Sequence, residues 1–87
     1  MLRIVWDEPK REWTLTERGL DFAWLTPAFF ERALIEPARD GRAKAIGLID
    51  GQCFVIIFKL LGSEALSVIS MRYASKKERM QYAKEDP

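Results

Sequence analysis

Between Arg72 and Lys84 the chain carries five cations, Arg72, Lys76, Lys77, Arg79 and Lys84, against one acid, Glu78. Two phenols, Tyr73 and Tyr82, are interleaved with them. A guanidinium is a planar fork that matches two phosphate oxygens, an ammonium adds a point charge, and an aromatic ring can stack a base. Lys76 and Arg79 are three apart, as are Arg79 and Tyr82, so on a helix each pair shares a face. A second basic pair, Arg42 and Lys44, alternates with Ala43 and Ala45, which in a strand aims both cations to one side. These residue types suit the capture of a phosphodiester anion. They are equally explained by a solvated terminal helix with Tyr82 packed beneath it, and by a solvated sheet face at Arg42 and Lys44.

Composition narrows the chemistry further. The 87-residue chain has no histidine and one cysteine, Cys53. That excludes zinc held by imidazoles, a Ser-His-Asp triad, paired-histidine RNA cleavage, an intrachain disulfide and a thiolate metal cluster. No metal ligand set and no cofactor is expected, and acid–base work falls to Lys, Arg, Tyr, Asp or Glu. Cys53 has no basic neighbour in sequence and reads as inert core. The glycines are scattered and form no phosphate loop, and the acids form no telling carboxylate pair. Fourteen Lys and Arg against thirteen Asp and Glu leave a net charge of +1, which excludes a simple polybasic binder but not a local patch. The N-terminal residues lack the apolar run of a signal peptide, and the longest apolar run, Cys53–Phe58, is too short to span a bilayer. A cytoplasmic protein with no membrane partner is the expectation.

The elements that must position these residues follow from periodicity and punctuation. Leu2–Trp6 alternates as a strand. Asp7 is placed to cap a helix over Glu8–Arg18 that Gly19 ends, with Trp13 as its one large apolar anchor. Asp21 opens a second helical segment, stapled by Leu20 and Leu25, which Thr26-Pro27 breaks or restarts. Phe22, Leu25, Phe29 and Phe30 lie on one face and belong to the core. Strands are expected at Ala33–Glu36, Lys44–Ile49, Cys53–Lys59 and Ala65–Arg72, with turns at Arg39–Arg42, Asp50-Gly51 and Gly62. Cys53–Lys59 is continuously apolar and should be central and buried on both faces. Ser75 and Glu78 form a capping box for a last helix that runs to about Ala83, with Lys84–Pro87 fraying. The sum is one α+β domain over residues 1–87: an antiparallel sheet of about five strands, two N-terminal helices and a C-terminal helix, the helices on one face of a curved sheet.

Several blocks in this order have a family likeness. Trp6-Asp7-Glu8-Pro9-Lys10-Arg11, Gly19-Leu20-Asp21-Phe22, Arg42-Ala43-Lys44-Ala45-Ile46-Gly47, and Ile69-Ser70-Met71-Arg72 with Ala74-Ser75-Lys76-Lys77-Glu78-Arg79 and Tyr82 resemble the BrnT family. Its members are ribonuclease toxins of bacterial type II toxin–antitoxin pairs. The resemblance spans essentially the whole chain. It implies a RelE-like fold and an endoribonuclease that arrests translation. It also implies a small BrnA-like partner with a ribbon-helix-helix domain, through which alone the complex would touch DNA.

Cleavage without histidine or metal would use the 2′-hydroxyl of RNA to attack the adjacent phosphorus. On that reading Arg72 and Arg79 hold the phosphate, Lys76 serves as general acid or extra charge, and Tyr82 or Tyr73 donates a proton or stacks a base. Arg42, Lys44 and Lys77 extend the track for the RNA backbone. The chain departs from the family's Asn-x-x-Lys-His-Gly pattern, with Thr14, Glu17 and Arg18 ahead of the retained Gly19. Arg18 supplies charge but no proton at neutral pH. The departure raises a second reading, a relative with weakened or lost catalysis that binds the antitoxin as a corepressor.

Overall fold

Local chemistry sets most of the boundaries. The computed structural model describes residues 2–85. After β1 (Arg3–Trp6), helix α1 (Glu8–Arg18) begins where the Asp7 carboxylate accepts from the Lys10 amide at 3.3 Å, with Pro9 in the first turn. It stops at Gly19, whose φ of 70° is the left-handed conformation that glycine adopts without a Cβ penalty. Asp21 then caps a 3₁₀ turn over Phe22–Trp24, and Thr26 caps α2 (Pro27–Arg32) by accepting from the Phe29 amide at 3.2 Å. The strands are β2 (Leu34–Pro37), β3 (Ala43–Ile49), β4 (Gln52–Leu61) and β5 (Ala65–Tyr73). Asp50 and Gly51 both have positive φ, as a two-residue hairpin between β3 and β4 requires. The last element, α3 (Lys76–Glu85), starts at the expected capping box: the Ser75 amide donates to Glu78 and the Glu78 amide donates to Ser75 Oγ. Asp86 and Pro87, part of the segment expected to fray, lie outside the described residues.

The strands form one sheet in the order β1-β5-β4-β3-β2. From β2 to β5 the pairing is antiparallel. β1 pairs parallel to β5, from Arg3↔Ala65 to Trp6↔Val68, so the sheet is mixed and not wholly antiparallel. The helical segments carry the chain from the end of β1 to the far edge, and the meander brings β5 back beside β1 in the same direction. Central β4 explains its apolar run: Phe54, Ile56 and Phe58 enter one core cluster, while Cys53, Val55 and Ile57 belong to the other.

The helices do not share a face. Phe22, Leu25, Phe29 and Phe30 pack with Ala45, Phe54, Ile56 and Phe58 on the first face of the sheet. Ala74 and Tyr82, before and within α3, pack with Ile46, Cys53 and Val55 on the second face. Both faces of the central strands are therefore buried, as the continuous apolar run of Cys53–Lys59 predicts. Trp13 is not the anchor of α1. It is 55% exposed, and the residue α1 buries is Thr14, whose hydroxyl donates to the Lys10 carbonyl at 2.8 Å.

One irregularity decides which side chains face which way. Ile57 pairs with Ser70 but Phe58 pairs with Val68, so Ile69 is an extra residue, a β-bulge. Before the bulge Leu66 and Val68 enter the first core; after it Met71 does. The phase of β5 is reversed, and Ser70 and Arg72 emerge on the second face.

Gly47 sits under the ring of Phe29: a Cβ there would lie 2.8 Å from Phe29 Cε2 and 3.3 Å from the Ala33 Cβ. Phe29 is itself wedged edge-on against Phe30 at 5.2 Å between ring centroids, so it has little room to yield. Gly47→Ala is expected to lower stability by about 1–3 kcal/mol, read as a lower urea midpoint with an unchanged slope.

Candidate functional site

Three elements meet at one carboxylate. Glu78, 7% exposed, accepts from both terminal nitrogens of Arg72 on β5, at 2.7 and 2.9 Å, and lies 2.7 Å from the Lys44 ammonium on β3. The Ser75 amide donates to it at 2.9 Å. The paired Arg72 fork, then Lys44 and the backbone amide, hold the Glu78 carboxyl well below the usual carboxylate range against the opposing effect of burial. Lys44 is also 4.0 Å from Glu36, whose other oxygen accepts from the Gln81 side-chain amide of α3 at 2.6 Å. Two cations and two carboxylates therefore balance. A carboxylate that captures Arg72 this way was visible in sequence only as the fourth residue of a capping box.

The remaining residues singled out from sequence are distributed unevenly. Arg79 donates to the Ala74 carbonyl at 3.0 Å, closing the start of α3. Lys76 and Lys77 are exposed, and among the described residues their ammonium groups make no ion pair. Tyr82 is half-buried and packs against the second-face cluster. Tyr73 lies on the opposite face from Arg72, its ring 5.1 Å from that of Phe54, because neighbouring strand residues alternate. Cys53 is buried, and burial pushes its thiol up, as an inert core cysteine requires.

Uncompensated positive charge is found beside this cluster. A groove of ≈ 420 Å³ lies between α1 and the second face, lined by Lys10, Trp13 and Arg18 of the helix and by Arg42, Ile57 and Ser70 of the sheet. Among the described residues no carboxylate lines it. Lys10, Thr14 and Arg18 are four apart, on one stripe of α1. Ser70 lines the groove, and Arg72, two residues on, shares its face of β5.

Its helical wall is moored at both ends. Arg11 Nε lies 2.7 Å from Asp21 and its Nη1 2.7 Å from Glu8, which also accepts from the Trp6 indole at 3.0 Å. At the other end Arg18 Nη1 donates to the Met71 carbonyl at 2.8 Å, beyond Val68 where β1 stops pairing with β5. A cationic groove with a fixed wall suits a polyanionic chain. The i, i+4 spacing on α1 is the signal in sequence for Lys10 beside Arg18, whereas no sequence signal marks Trp13 or Glu78 as part of the site.

Compared with known proteins, residues 6–78 match the family model described as ribonuclease toxin, BrnT, of type II toxin-antitoxin system. The matched span holds Lys10, Trp13, Arg18, Arg42, Lys44, Arg72 and Glu78, and ends before Arg79 and Tyr82. Among solved structures, the 1.1 Å crystal structure of the Brucella abortus ribonuclease toxin, BrnT, is similar with a TM-score of 0.80 and 49% identity. That alignment covers 87% of this chain and 100% of the other. No curated protein matches.

Because folding favours the ionised form of Glu78, its contribution to stability is complete above its ordinary value of 4.5 and is lost as pH falls below it. Glu78→Gln is expected to lower stability at neutral pH by about 1–2 kcal/mol, since Arg72 and Lys44 lose the negative charge and one of the two acceptor oxygens at a partly solvated site. The variant should also flatten the fall in urea midpoint between about pH 5 and about pH 2. Parallel pH profiles for both proteins would refute the assignment.

Proposed function

The chain belongs to the BrnT family of ribonuclease toxins of type II toxin–antitoxin systems, and from that premise we propose that it is a metal-independent endoribonuclease working on the second face of its sheet. The observation that carries this placement is the groove with three cations and no facing carboxylate, floored by Ser70, which shares its face of β5 with Arg72 two residues on. RNA backbone enters along Lys10 and Arg42. Lys44 and Lys77 extend the track towards α3.

The 2′-hydroxyl attacks the adjacent phosphorus in line, its proton leaves to solvent or a basic group, and the 5′-oxygen departs with a proton. The products are a cyclic 2′,3′-phosphate and a 5′-hydroxyl. Arg72 balances charge on the non-bridging oxygens, with Arg79 as a second guanidinium. Lys76, at the start of α3, is the general acid. Glu78 is a positioning residue: held ionised, it fixes the Arg72 fork and does not accept a proton. Tyr82 serves chiefly by seating α3 on the sheet, and Tyr73 is available only to RNA that wraps to the first face.

Membership of a type II family implies an antitoxin partner. We take it to be a ribbon-helix-helix protein, so that DNA is touched only through it. Among the described residues no helix is long and apolar enough to cross a membrane, and the proposed site of action is the bacterial cytoplasm.

A second reading, an inactive antitoxin-binding corepressor, draws on Arg18. It stands where the resemblance leads one to expect histidine, and its guanidinium is engaged by the Met71 carbonyl.

Inducible expression in a bacterial host separates the two. Growth arrest with new RNA ends carrying 5′-hydroxyls is the expected result, and folded Arg72→Ala should cleave at least ~10²-fold more slowly. Normal growth and intact RNA from a folded wild-type protein would establish the corepressor instead. Full activity in both Arg72→Ala and Arg42→Ala would move the site elsewhere.

A further inference from the structure

We infer that Trp13 is the platform on which an unpaired base of the RNA stacks, and so a residue that sets which nucleotides the groove accepts. The inference deepens the ribonuclease reading and rests on it.

Trp13 is the largest apolar side chain of α1, yet the helix buries Thr14 in its place and leaves the indole 55% exposed. The ring is held. The Arg18 guanidinium carbon lies 5.2 Å from its centroid, and that guanidinium is itself tied to the Met71 carbonyl. A cation seated on an indole gives a ring of fixed orientation on a surface where a lone tryptophan would rotate. Lys10 and Arg42 line the same groove, so cations for the phosphates stand beside a base that leaves the strand. Single-stranded RNA is recognised by this combination of splayed bases on aromatic or guanidinium planes and a cationic track. The other exposed indole, Trp24, lines a different surface with Arg32, Leu48 and Tyr82. It therefore serves as a control.

The test uses a fluorescein-labelled, fully 2′-O-methylated oligoribonucleotide, which cannot be cleaved by 2′-hydroxyl attack, and reads binding by anisotropy. Trp13→Ala is expected to weaken binding about tenfold or more, the usual consequence of losing one stacked base. Trp13→Phe should recover most of the affinity, and Trp24→Ala should leave it unchanged. The slope of log affinity against log salt should be unaltered in Trp13→Ala but shallower by about one in Arg42→Ala, because only the arginine meets a phosphate. Abasic positions in the oligonucleotide should weaken binding to the wild type but cost Trp13→Ala little, a coupling that a merely structural role would not produce.

Equal affinity of wild type and Trp13→Ala, or equal binding of abasic and complete strands by the wild type, would overturn the inference. So would an absence of any binding. Cleavage of natural RNA by the same preparations separates the two readings. A wild type that cleaves, with an unchanged KM in Trp13→Ala, sinks this inference and leaves the nuclease standing. A wild type that binds through Trp13 but never cleaves does the reverse.

Discussion

A single extra residue in β5 governs how the rest of the site is built. Ile69 has no partner of its own across β4, so the alternation of β5 reverses between Val68 and Ser70. Had the strand run on regularly, the side chain of Arg72 would point with Leu66 and Val68 into the aromatic core. Burying an unpaired guanidinium there would cost far more than a sheet of this size can offset. The bulge also comes where β1 stops pairing, so the distorted stretch of β5 is the stretch that α1 borders through Arg18 and Met71. Bulges commonly re-aim a side chain beside a functional surface.

Charge is arranged by the same economy. Over the whole chain the signs nearly cancel, but they are not mixed evenly over the second face. Glu78 and Glu36 neutralise Arg72 and Lys44 around α3, while Lys10, Arg18 and Arg42 line the neighbouring groove without an acid. A bound phosphate would meet a fully charged wall on the α1 side and, on the α3 side, a pre-aligned guanidinium whose two terminal nitrogens already donate to Glu78. Because Arg72 is held by two oxygens, its geometry is set before any ligand arrives, and little rotamer freedom is left to lose. The network of Arg11, Asp21, Glu8 and Trp6 does the same for the helical wall.

What the sequence made legible was local. Asp7, Gly19, Thr26-Pro27, Asp50-Gly51 and the Ser75–Glu78 box act within a turn of themselves, and each was found where the residue types placed it. The aromatic set Phe22, Leu25, Phe29 and Phe30 was core for the plain reason of its bulk. What stayed hidden depends on distance along the chain. Alternation in Leu2–Trp6 announces a strand but not its neighbour, so the parallel partner went unseen. A bulge leaves no mark in a run such as Val68-Ile69-Ser70, since every residue there suits a strand. Apolar bulk makes Trp13 read as an anchor, and only the position of α1 beside β5 turns it outward. Arg42 and Lys44 were correctly placed on one side of their strand, but the carboxylate that meets Lys44 sits on a helix formed after two further strands.

The pairing of β1 with β5 has a consequence for the order of synthesis. Arg3–Trp6 leaves the ribosome well before its partner, Ala65–Val68, because two helices and three strands separate them in the chain. Contacts of such long range form slowly and late. α1 can be helical early, but the β5 floor it faces, Ile69 and Ser70, does not yet exist, nor does the helix that supplies Glu78. A nascent chain is thus a set of parts without the groove, and the surface that would take RNA comes into being only once β5 has been made and paired.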